Sequence, residues 1–355
     1  MPRDPSFESN GMTSSFTRAD LGWSAFHNAQ LDIDEIGVLT PARVSGVHRT
    51  RIATLTEDGP VDLALDAGHS TGEIAVGDWV LCDPEAARMV RRLDRQSTLQ
   101  RGSDYVFGER QLIAANIDTL FITTSCNADF NVARLERYLA LAHDADITPV
   151  IVLTKADQCD DPQSYIDDAR ALGRNLEVLA LDALHGDVGE ALGPWIGKGQ
   201  TVALAGSSGV GKTTLANALT GGDALTQGIR EDDARGRHTT TGRSLHHLPT
   251  GGWLIDTPGM RGLGVADVAA GIAATFEEIS ELEGNCRFRD CKHESEPGCA
   301  VQAAVATGAI DPARLKRFQK LVREDAMATE TIAQAHARSR KFGKTVKAAM
   351  KKKGR

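Results

Sequence analysis

Residues 206–214 read GSSGVGKTT and match the pattern G-x-x-x-x-G-K-[ST], with Gly206, Gly211, Lys212 and Thr213 at the defined positions. Consecutive backbone N–H groups of such a loop can surround phosphate groups, because glycine lets the chain turn tightly. The preceding segment TVALAG is typical of a buried strand, and the following segment TTLANAL has helical spacing. Strand, loop and helix in this order predict a phosphate-binding loop, with a chance glycine-rich turn as the alternative.

The side chains of this loop have separate predicted tasks. Lys212 would reach the β- and γ-phosphates of a nucleotide, and the hydroxyl of Thr213 would ligate Mg²⁺. The predicted nucleotide contacts of the loop are Gly206, Ser207, Ser208, Gly209, Val210, Gly211, Lys212, Thr213 and Thr214.

Composition and charge narrow the class of protein. The chain has 355 residues, 41% hydrophobic and 25% charged, which is typical of a soluble globular protein with two or three domains. No apolar run reaches the ~20 residues of a membrane helix, and no signal core is present, so we expect no membrane partner and a cytoplasmic location. Residues 336–355 hold nine Lys or Arg and no Asp or Glu. This tail indicates an anionic partner such as nucleic acid, or else a solvated, disordered terminus.

Two patterns of secondary structure follow one another along the chain. Short apolar runs separated by turn residues in 36–101 predict a small all-β barrel or sandwich, either structural or oligonucleotide-binding. From about residue 112 strands and helices alternate, which predicts a mostly parallel α/β sheet with ligands at the carboxyl ends of its strands. Beyond residue 263 the pattern is mainly helical.

Two segments after the glycine-rich loop are candidates for contact with a γ-phosphate. In DTPG at 256–259, Asp256 follows the apolar strand WLI and can hold Mg²⁺ through its water shell, while the N–H of Gly259 could contact the γ-phosphate. An ordinary turn is the alternative. In GRHTTTG at 236–242 a threonine, with Thr240 as our choice, would ligate Mg²⁺.

TKAD at 154–157 ends another predicted buried strand and resembles the [NT]-K-x-D motif with which GTPases read guanine. The carboxylate of Asp157 would accept two N–H bonds from guanine that adenine cannot offer as a pair. The stem of Lys155 would lie across the base, and Thr154 stands where Asn is more usual. Thr154, Lys155, Ala156 and Asp157 are therefore predicted nucleotide contacts, although four residues can also match by chance. DAL at 182–184 stands where such proteins carry a second base-contacting loop, usually Ser-Ala.

The order of these motifs is unusual. Ordinary GTPases have the phosphate-binding loop first and the base-reading motif late, whereas here TKAD comes before GSSGVGKTT and DTPG comes after it. A circular permutation can preserve the site, because chain termini often lie close together and exposed joins are tolerated. The DTPG loop then leads directly into the domain that follows.

Three of the six cysteines cluster beside a histidine. CRFRDCKHESEPGC at 286–299 has the spacing C-x₄-C-x-H-x₅-C. Three thiolates and one imidazole suit tetrahedral Zn²⁺ and leave no open position, so this spacing predicts one structural zinc ion held by Cys286, Cys291, His293 and Cys299. Reduced cysteines beside a surface histidine are the alternative.

Together, TKAD, GSSGVGKTTL, GRHTTT, IDTPGM and the cysteine spacing resemble the circularly permuted GTPases of small ribosomal subunit biogenesis, the RsgA or YjeQ family, over about residues 36–325. The resemblance implies an OB barrel, a permuted GTPase domain and a helical zinc-binding domain. It implies GTP hydrolysis stimulated by the small ribosomal subunit in late maturation, with release coupled to hydrolysis. The implied partners are this subunit, its rRNA and GTP or GDP, and we expect a monomer.

On this basis we expect an N-terminal extension at 1–34, an OB domain at 35–108, a GTPase domain at 109–275 and a zinc-binding helical domain with the basic tail at 276–355.

The residue after DTPG is Met260, where many GTPases place a water-orienting Gln. A thioether cannot orient water, so slow intrinsic turnover and a catalytic group from elsewhere are expected. His238, beside the three threonines, is the local candidate, and an equal alternative is a loop histidine that contacts RNA or nothing.

Two other functional classes compete with a GTPase. One is an RNA-binding assembly factor whose nucleotide site is a passive stabiliser, and nucleotide-independent affinity for the small subunit would favour it. The other is an ATP-dependent P-loop kinase, which equal binding of ATP and GTP would favour.

Overall fold

The computed structural model describes residues 16–65, 70–102, 110–222, 243–256 and 264–329. In these ranges the chain forms mainly strands first, then alternating strands and helices, and finally helices, in the order that the sequence patterns predict. The strands are β1 Thr40–Val47, β2 Arg51–Thr56, β3 Gly59–Ala64, β4 Trp79–Asp83, β5 Arg88–Arg92, β6 Thr98–Gly102, β7 Arg110–Ala115, β8 Thr119–Ser125, β9 Thr148–Thr154, β10 Glu177–Ala180, β11 Thr201–Ala205, β12 Ser244–His247 and β13 Trp253–Asp256. The helices are α1 Ala25–Asn28, α2 Val132–Asp144, α3 Pro162–Arg170, α4 Val188–Leu192, α5 Lys212–Thr220, α6 Ala269–Thr275, α7 Glu277–Glu283, α8 Ala300–Ala306 and α9 Pro312–Thr329.

Strands β1 to β5 form a small closed barrel. They pair in the order β1-β2-β3-β5-β4, and β4 pairs back with β1. Apolar side chains fill the interior, because successive residues of each strand point to opposite faces. These interior residues include Ala42, Val44, Ile52, Leu63, Val80 and Met89. The predicted OB-like barrel is confirmed.

The segment after the barrel differs from the simple sequence pattern. β6 and β7 pair with each other in a separate two-stranded sheet, so the barrel strands end at Arg92 although the run of short apolar segments continues to residue 101. Alternation predicts a strand and one exposed face, but it does not say which sheet that strand joins.

The central sheet has the order β10-β9-β8-β11-β13-β12, in which β12 is antiparallel and the other five strands are parallel. β8 and β11 are buried at every position, because helices cover both faces of a parallel sheet. Asn131 and Asp161 cap the N-termini of helices α2 and α3, and their side chains accept backbone N–H bonds from the first turn. The predicted α/β alternation is confirmed, and β12 was not predicted.

The C-terminal helices pack directly on helix α2 of the sheet layer. A Cβ on Gly271 of α6 would lie 1.9 Å from the carbonyl oxygen of Ala140 in α2, so only glycine allows this close approach. Buried Phe276 and Phe318 pack edge to face with ring centroids 5.4 Å apart. In the part of the chain that the structure describes, no helix has the length and apolar character needed to cross a bilayer.

A buried arginine joins the barrel to the sheet. Arg43 of β1 donates to the carbonyl oxygen of Leu21 at 2.5 Å and to the hydroxyl of Thr201, the first residue of β11, at 2.6 Å. The two layers also meet where Gly46 pairs with Ser244 of β12. Burial lowers the pKa of Arg43 to about 10, so its guanidinium still carries a charge at neutral pH.

Candidate nucleotide and metal sites

The glycine-rich loop connects β11 to α5, as predicted. Gly206 has φ +143°, and a Cβ there would lie 2.2 Å from the carbonyl oxygen of Thr123, so this first position requires glycine. Gly211, at φ +93°, occupies the cap position of α5 and brings no side chain between the helix N-terminus and an incoming anion. Nζ of Lys212 donates to the carbonyl oxygens of Gly206 (2.8 Å) and Ser207. The loop thus has the backbone shape that phosphate binding needs.

The TKAD segment touches this loop, although β8 separates β9 from β11 in the sheet. Thr154, fully buried at the end of β9, donates its hydroxyl proton to the carbonyl oxygen of Val210 at 2.6 Å. Nζ of Lys155 donates to the carbonyl oxygen of Gly209 at 2.9 Å. Lys155 has φ +57°, and Asp157 lies exposed in the short 3-10 turn that follows. The predicted base-reading and phosphate-binding segments are therefore neighbours.

The segment 182–184 lies beside TKAD. Leu181 continues the pairing of β10 by donating to Leu153 of β9, and the loop begins immediately after it. The Asp182 carboxylate accepts the N–H groups of Leu184 (2.8 Å) and His185 (3.1 Å), and the first of these bonds does most to lower the pKa of Asp182. The Asp182 side chain therefore stabilises the turn of its own loop. Although Asp182 replaces the usual Ser of the Ser-Ala pair, the loop forms an ordered turn at the carboxyl end of β10.

Asp256 lies one strand away from the glycine-rich loop. β13 pairs with β11 in parallel, with Ile255 opposite Ala203, so both strands end at the same edge of the sheet. On the other side Asp256 pairs with Ser244 of the unpredicted strand β12. Burial lowers the pKa of His246, whose ring nitrogen lies 2.7 Å from the hydroxyl of Ser244. The other predicted γ-phosphate and catalytic residues, His238, Thr240 and Gly259, lie outside the described residues.

The four predicted metal ligands come together. The ligand atoms of Cys286, Cys291, His293 and Cys299 all lie within 4.8 Å of one another. Nδ1 of His293 is 3.4 Å from Sγ of Cys299 and 3.7 Å from Sγ of Cys286. Residues 286–299 contain no strand or helix among the described elements, so a metal ion bound by the four ligands would add to the few hydrogen bonds that hold this segment.

The electrostatics of the cluster also fit a cation. Burial raises the pKa of the Cys286 thiol, but hydrogen bonds from the N–H groups of Ala300 and Val301 at the start of α8, together with those from the Cys299 and Cys291 thiols, lower that pKa overall. Burial and the two neighbouring thiols raise the pKa of Cys291 to about 11. Three thiolates at this distance repel one another, and a bound divalent cation would remove that cost. The donor set and its surroundings therefore fit a closed metal site.

Sequence reasoning missed one residue of this cluster. Oε1 of Glu283, the last residue of α7, lies 2.9 Å from Nε2 of His293. A carboxylate on the second nitrogen fixes the tautomer, so that Nδ1 faces the cysteines as a ligand. Gln302 and Gln319 both donate to the carbonyl oxygen of His293, at 2.6 and 2.8 Å, and hold its backbone. Because Glu283 precedes the first cysteine by three residues, the spacing of the ligands gave no signal for it.

Comparison with known proteins agrees with this geometry. The family model described as RsgA GTPase matches residues 92–266. A protein of Mesorhizobium japonicum named "Small ribosomal subunit biogenesis GTPase RsgA" is 54% identical over 318 residues, which cover 88% of this chain and 91% of the relative. "Small ribosomal subunit biogenesis GTPase RsgA 2" of Vibrio parahaemolyticus is 47% identical over 334 residues, which cover 94% of this chain and 92% of the relative.

Two solved structures share the fold. YjeQ from Thermotoga maritima superposes with a TM-score of 0.59 at 23% identity and covers 81% of this chain and 98% of its own. YloQ, described as a circularly permuted GTPase, superposes with a TM-score of 0.57 at 25% identity over 81% and 94% of the two chains. With sequence relatives of this identity and coverage and the same permuted fold, the chain belongs to the RsgA GTPase family.

Proposed function

We propose that this chain hydrolyses GTP and acts in the maturation of the small ribosomal subunit. The observation that carries the proposal is the contact between TKAD and the glycine-rich loop, where Thr154 bonds to Val210 and Lys155 bonds to Gly209. A base-reading segment in contact with a phosphate-binding loop suits one guanine nucleotide. The names of the relatives, which describe small-subunit biogenesis GTPases, support the biological assignment.

The nucleotide would lie along the carboxyl edge of the sheet. The base would rest on Lys155 and bond to Asp157, the phosphates would lie in loop 206–211, and Lys212 would move from its carbonyl partners to the β- and γ-phosphates. Mg²⁺, when bound, neutralises charge on the phosphates. Thr213 and Thr240 would be its ligands, and Asp256 would hold its water shell.

Hydrolysis by this chain is proposed to depend on the small subunit. Met260 cannot orient a water molecule, so the chemical step needs another group, and we assign this role to His238 in the subunit-bound chain. The rRNA is the proposed binding partner of the barrel and of the C-terminal helical domain, and the chain would act as a monomer in the cytoplasm. The proposed domains are residues 1–34, 35–108, 109–275 and 276–355.

One Zn²⁺ ion is the proposed occupant of the Cys286, Cys291, His293 and Cys299 cluster. Three thiolates with an imidazole suit zinc better than the harder cations, which prefer oxygen ligands. When bound, the ion supplies structural stabilisation and no open coordination position. The residues around it keep His293 oriented through Glu283 and hold the loop against α9 through Gln319.

The decisive experiment compares phosphate release from GTP and ATP, each with and without purified small ribosomal subunits. We expect slow GTP turnover alone, a rise of at least 10-fold with subunits, and little ATP turnover. Subunit binding that is equal with and without nucleotide, together with no stimulation of turnover, would instead favour an RNA-binding assembly factor with a passive nucleotide site.

A further inference from the structure

Residues 16–24 lie between the barrel and the central sheet and contact both, and we call them the N-terminal strap. Leu21, in the middle of the strap, is fully buried. The backbone N–H groups of Leu21 and Trp23 donate to the carbonyl oxygens of Thr17 and Arg18, which folds the strap into compact turns. A buried side chain and internal hydrogen bonds make the strap an ordered part of the fold, although it falls within the predicted N-terminal extension.

On one side the strap binds the barrel. The backbone N–H and Nε of Arg18 donate to the carboxylate of Glu57, in the turn between β2 and β3, at 3.1 and 2.7 Å. Arg43 of β1 donates to a carbonyl oxygen of the strap at 2.5 Å. The ring of Trp23 packs edge to face on Trp79 of β4, with centroids 4.8 Å apart. The strap therefore holds the barrel at three separate places.

On the other side the strap binds the amino edge of the central sheet. The ring of Phe16 packs on His247 and Trp253, with ring centroids 4.9 and 5.3 Å apart. Nε1 of Trp253 donates to the carbonyl oxygen of Asp20 at 2.7 Å, and the Asp20 carboxylate pairs with Lys198 at 2.6 Å. Trp253 begins β13 and His247 ends the antiparallel strand β12, so this edge is opposite to the edge that carries the glycine-rich loop.

Two glycines allow the strap to lie directly on the sheet layer. Gly22 has φ +86°, and Gly199, just before β11, has φ +75°. A Cβ on Gly22 would lie 2.8 Å from the carbonyl oxygen of Gly199, and a Cβ on Gly199 would lie 2.4 Å from that of Ala19. Backbone packs on backbone at this point, so an added methyl group would push the strap away from the sheet.

We propose that the N-terminal strap fixes the orientation of the barrel relative to the central sheet, and that this orientation sets the affinity of the chain for the small ribosomal subunit. The bond from Arg43 to Thr201 and the pairing of Gly46 with Ser244 also join the two layers, but both of these joints start from β1. The strap holds the β2–β3 turn and β4 as well. It therefore restrains parts of the barrel that the other two joints do not reach.

A fixed orientation matters for a partner that contacts two domains at once, as proposed for the barrel and the C-terminal helical domain. When only a fraction of the molecules holds both surfaces in the competent arrangement, the apparent affinity is reduced by that fraction. The glycine-rich loop lies at the other end of five-residue β11, about 16 Å away, so nucleotide affinity should not depend on the strap. The inference rests on the proposed function for its partner, and on the described contacts for the strap.

The experiment uses the full chain with two strap substitutions, each with a matched control. Gly22→Ala adds the methyl group that meets the sheet layer, whereas Gly37→Ala has a similar φ of +80° and no described atom beyond its chain neighbours within 4 Å of the new Cβ. Phe16→Ala removes the ring that packs on β12 and β13, and Phe26→Ala removes a 39% exposed ring of the neighbouring segment.

Each variant is assayed for three properties: affinity for a fluorescent GDP analogue, affinity for small subunits with a non-hydrolysable GTP analogue, and amide hydrogen exchange by mass spectrometry. We expect both strap substitutions to weaken subunit binding about 10-fold, as when the correctly oriented fraction falls to about one tenth. Amide hydrogens of the strap and of β1 should exchange at least about 10-fold faster, because local opening then costs less free energy. GDP-analogue affinity and exchange in α5 should stay within about 2-fold, since these sites are distant, and both controls should match the unsubstituted chain.

Unchanged subunit affinity in the strap variants would overturn the inference, and so would effects of equal size in the controls. A loss of GDP-analogue affinity as large as the loss of subunit affinity would also overturn it, because the strap would then stabilise the GTPase fold and not the domain orientation. If Gly22→Ala does not fold, Phe16→Ala carries the test. Failure of the proposed function would look different, because the unsubstituted chain would not bind small subunits. Exchange of β1 in Phe16→Ala would then still decide whether the strap restrains the barrel.

Discussion

The hydroxyl of Thr154 donates a 2.6 Å hydrogen bond to the carbonyl oxygen of Val210, and both residues are fully buried. This hydrogen bond connects the end of β9 to the glycine-rich loop, although strand β8 lies between β9 and β11 in the sheet. Threonine thus fills the position where related motifs have Asn, with a shorter side chain that reaches the loop backbone directly.

Loss of this hydroxyl should loosen the nucleotide site. Thr154→Val keeps the shape and leaves the Val210 carbonyl without its donor, at a cost of about 1–3 kcal/mol, so we expect GDP affinity to fall by about 5- to 160-fold. Thr154→Ser keeps the donor and should stay within about 3-fold of the unsubstituted chain. Titration with a fluorescent GDP analogue measures both, and equal affinities for Val and Ser would contradict this bond's importance.

Base selection should depend on Asp157. Asp157→Asn replaces one acceptor by a donor, so guanine loses one bond and meets one repulsive contact; we expect at least about 100-fold weaker GTP binding. Xanthine carries a carbonyl where guanine has its amine, so XTP should bind the variant better than GTP does. Competition titrations with GTP, XTP and ATP test this, and an unaltered order of the three affinities would remove Asp157 from base reading.

His238 should matter for turnover and little for binding. His238→Ala should lower subunit-stimulated GTP hydrolysis by about 10²- to 10⁴-fold, the usual contribution of a positioned proton-transfer or water-orienting group. GDP affinity and subunit binding should stay within about 2-fold. Single-turnover phosphate release with purified subunits provides the measurement, and undiminished stimulated turnover would exclude this histidine from the mechanism.

Glu283 should strengthen metal binding without being a ligand. Glu283→Gln removes the charge beside Nε2 of His293, and we expect about 10- to 100-fold weaker zinc binding. Glu281→Gln on the same helix is the control, because its exposed side chain pairs with Arg174 and does not reach the cluster. Release of zinc to a coloured chelator reports the difference, and equal release rates in the two variants would refute the effect.

Stability should fall in mild acid because of His27. Burial, and next the positive charge of Arg43, lower the pKa of His27 from 6.5 to about 4. Between these values the unfolded chain binds the proton that the folded chain excludes, so the free energy of unfolding decreases as the pH falls from 6.5 towards 4. The thermal midpoint should drop by several degrees between pH 7 and 5. His27→Gln should flatten this slope, and an unchanged slope in this variant would contradict the assignment to His27.

Local sequence patterns were enough to predict the nucleotide site, because a general rule of parallel sheets says where the ends of their strands meet. Because parallel strands end at one edge of a sheet, Lys155, Lys212 and Asp256 could be placed together without knowledge of any side-chain contact. The spacing of three cysteines and a histidine likewise predicted His293 as a ligand.

Residues that act through distant partners could not be recognised in this way. Glu136 lies in an ordinary amphipathic helix, and only the packed structure shows that its carboxylate accepts bonds from Arg314 and Arg317 of α9. Strand β12 has four residues and follows a segment without apolar periodicity, so its pairing with β13 depends on tertiary contacts.

The placement of Arg43 has a consequence for biosynthesis. Its hydroxyl partner Thr201 lies 158 residues further along the chain. While the polypeptide is being translated, the barrel strands therefore emerge long before this acceptor exists, and the guanidinium must stay hydrated until β11 has left the exit tunnel. The seam between the first domain and the second can close only late in synthesis, which makes premature docking of the nascent barrel unfavourable.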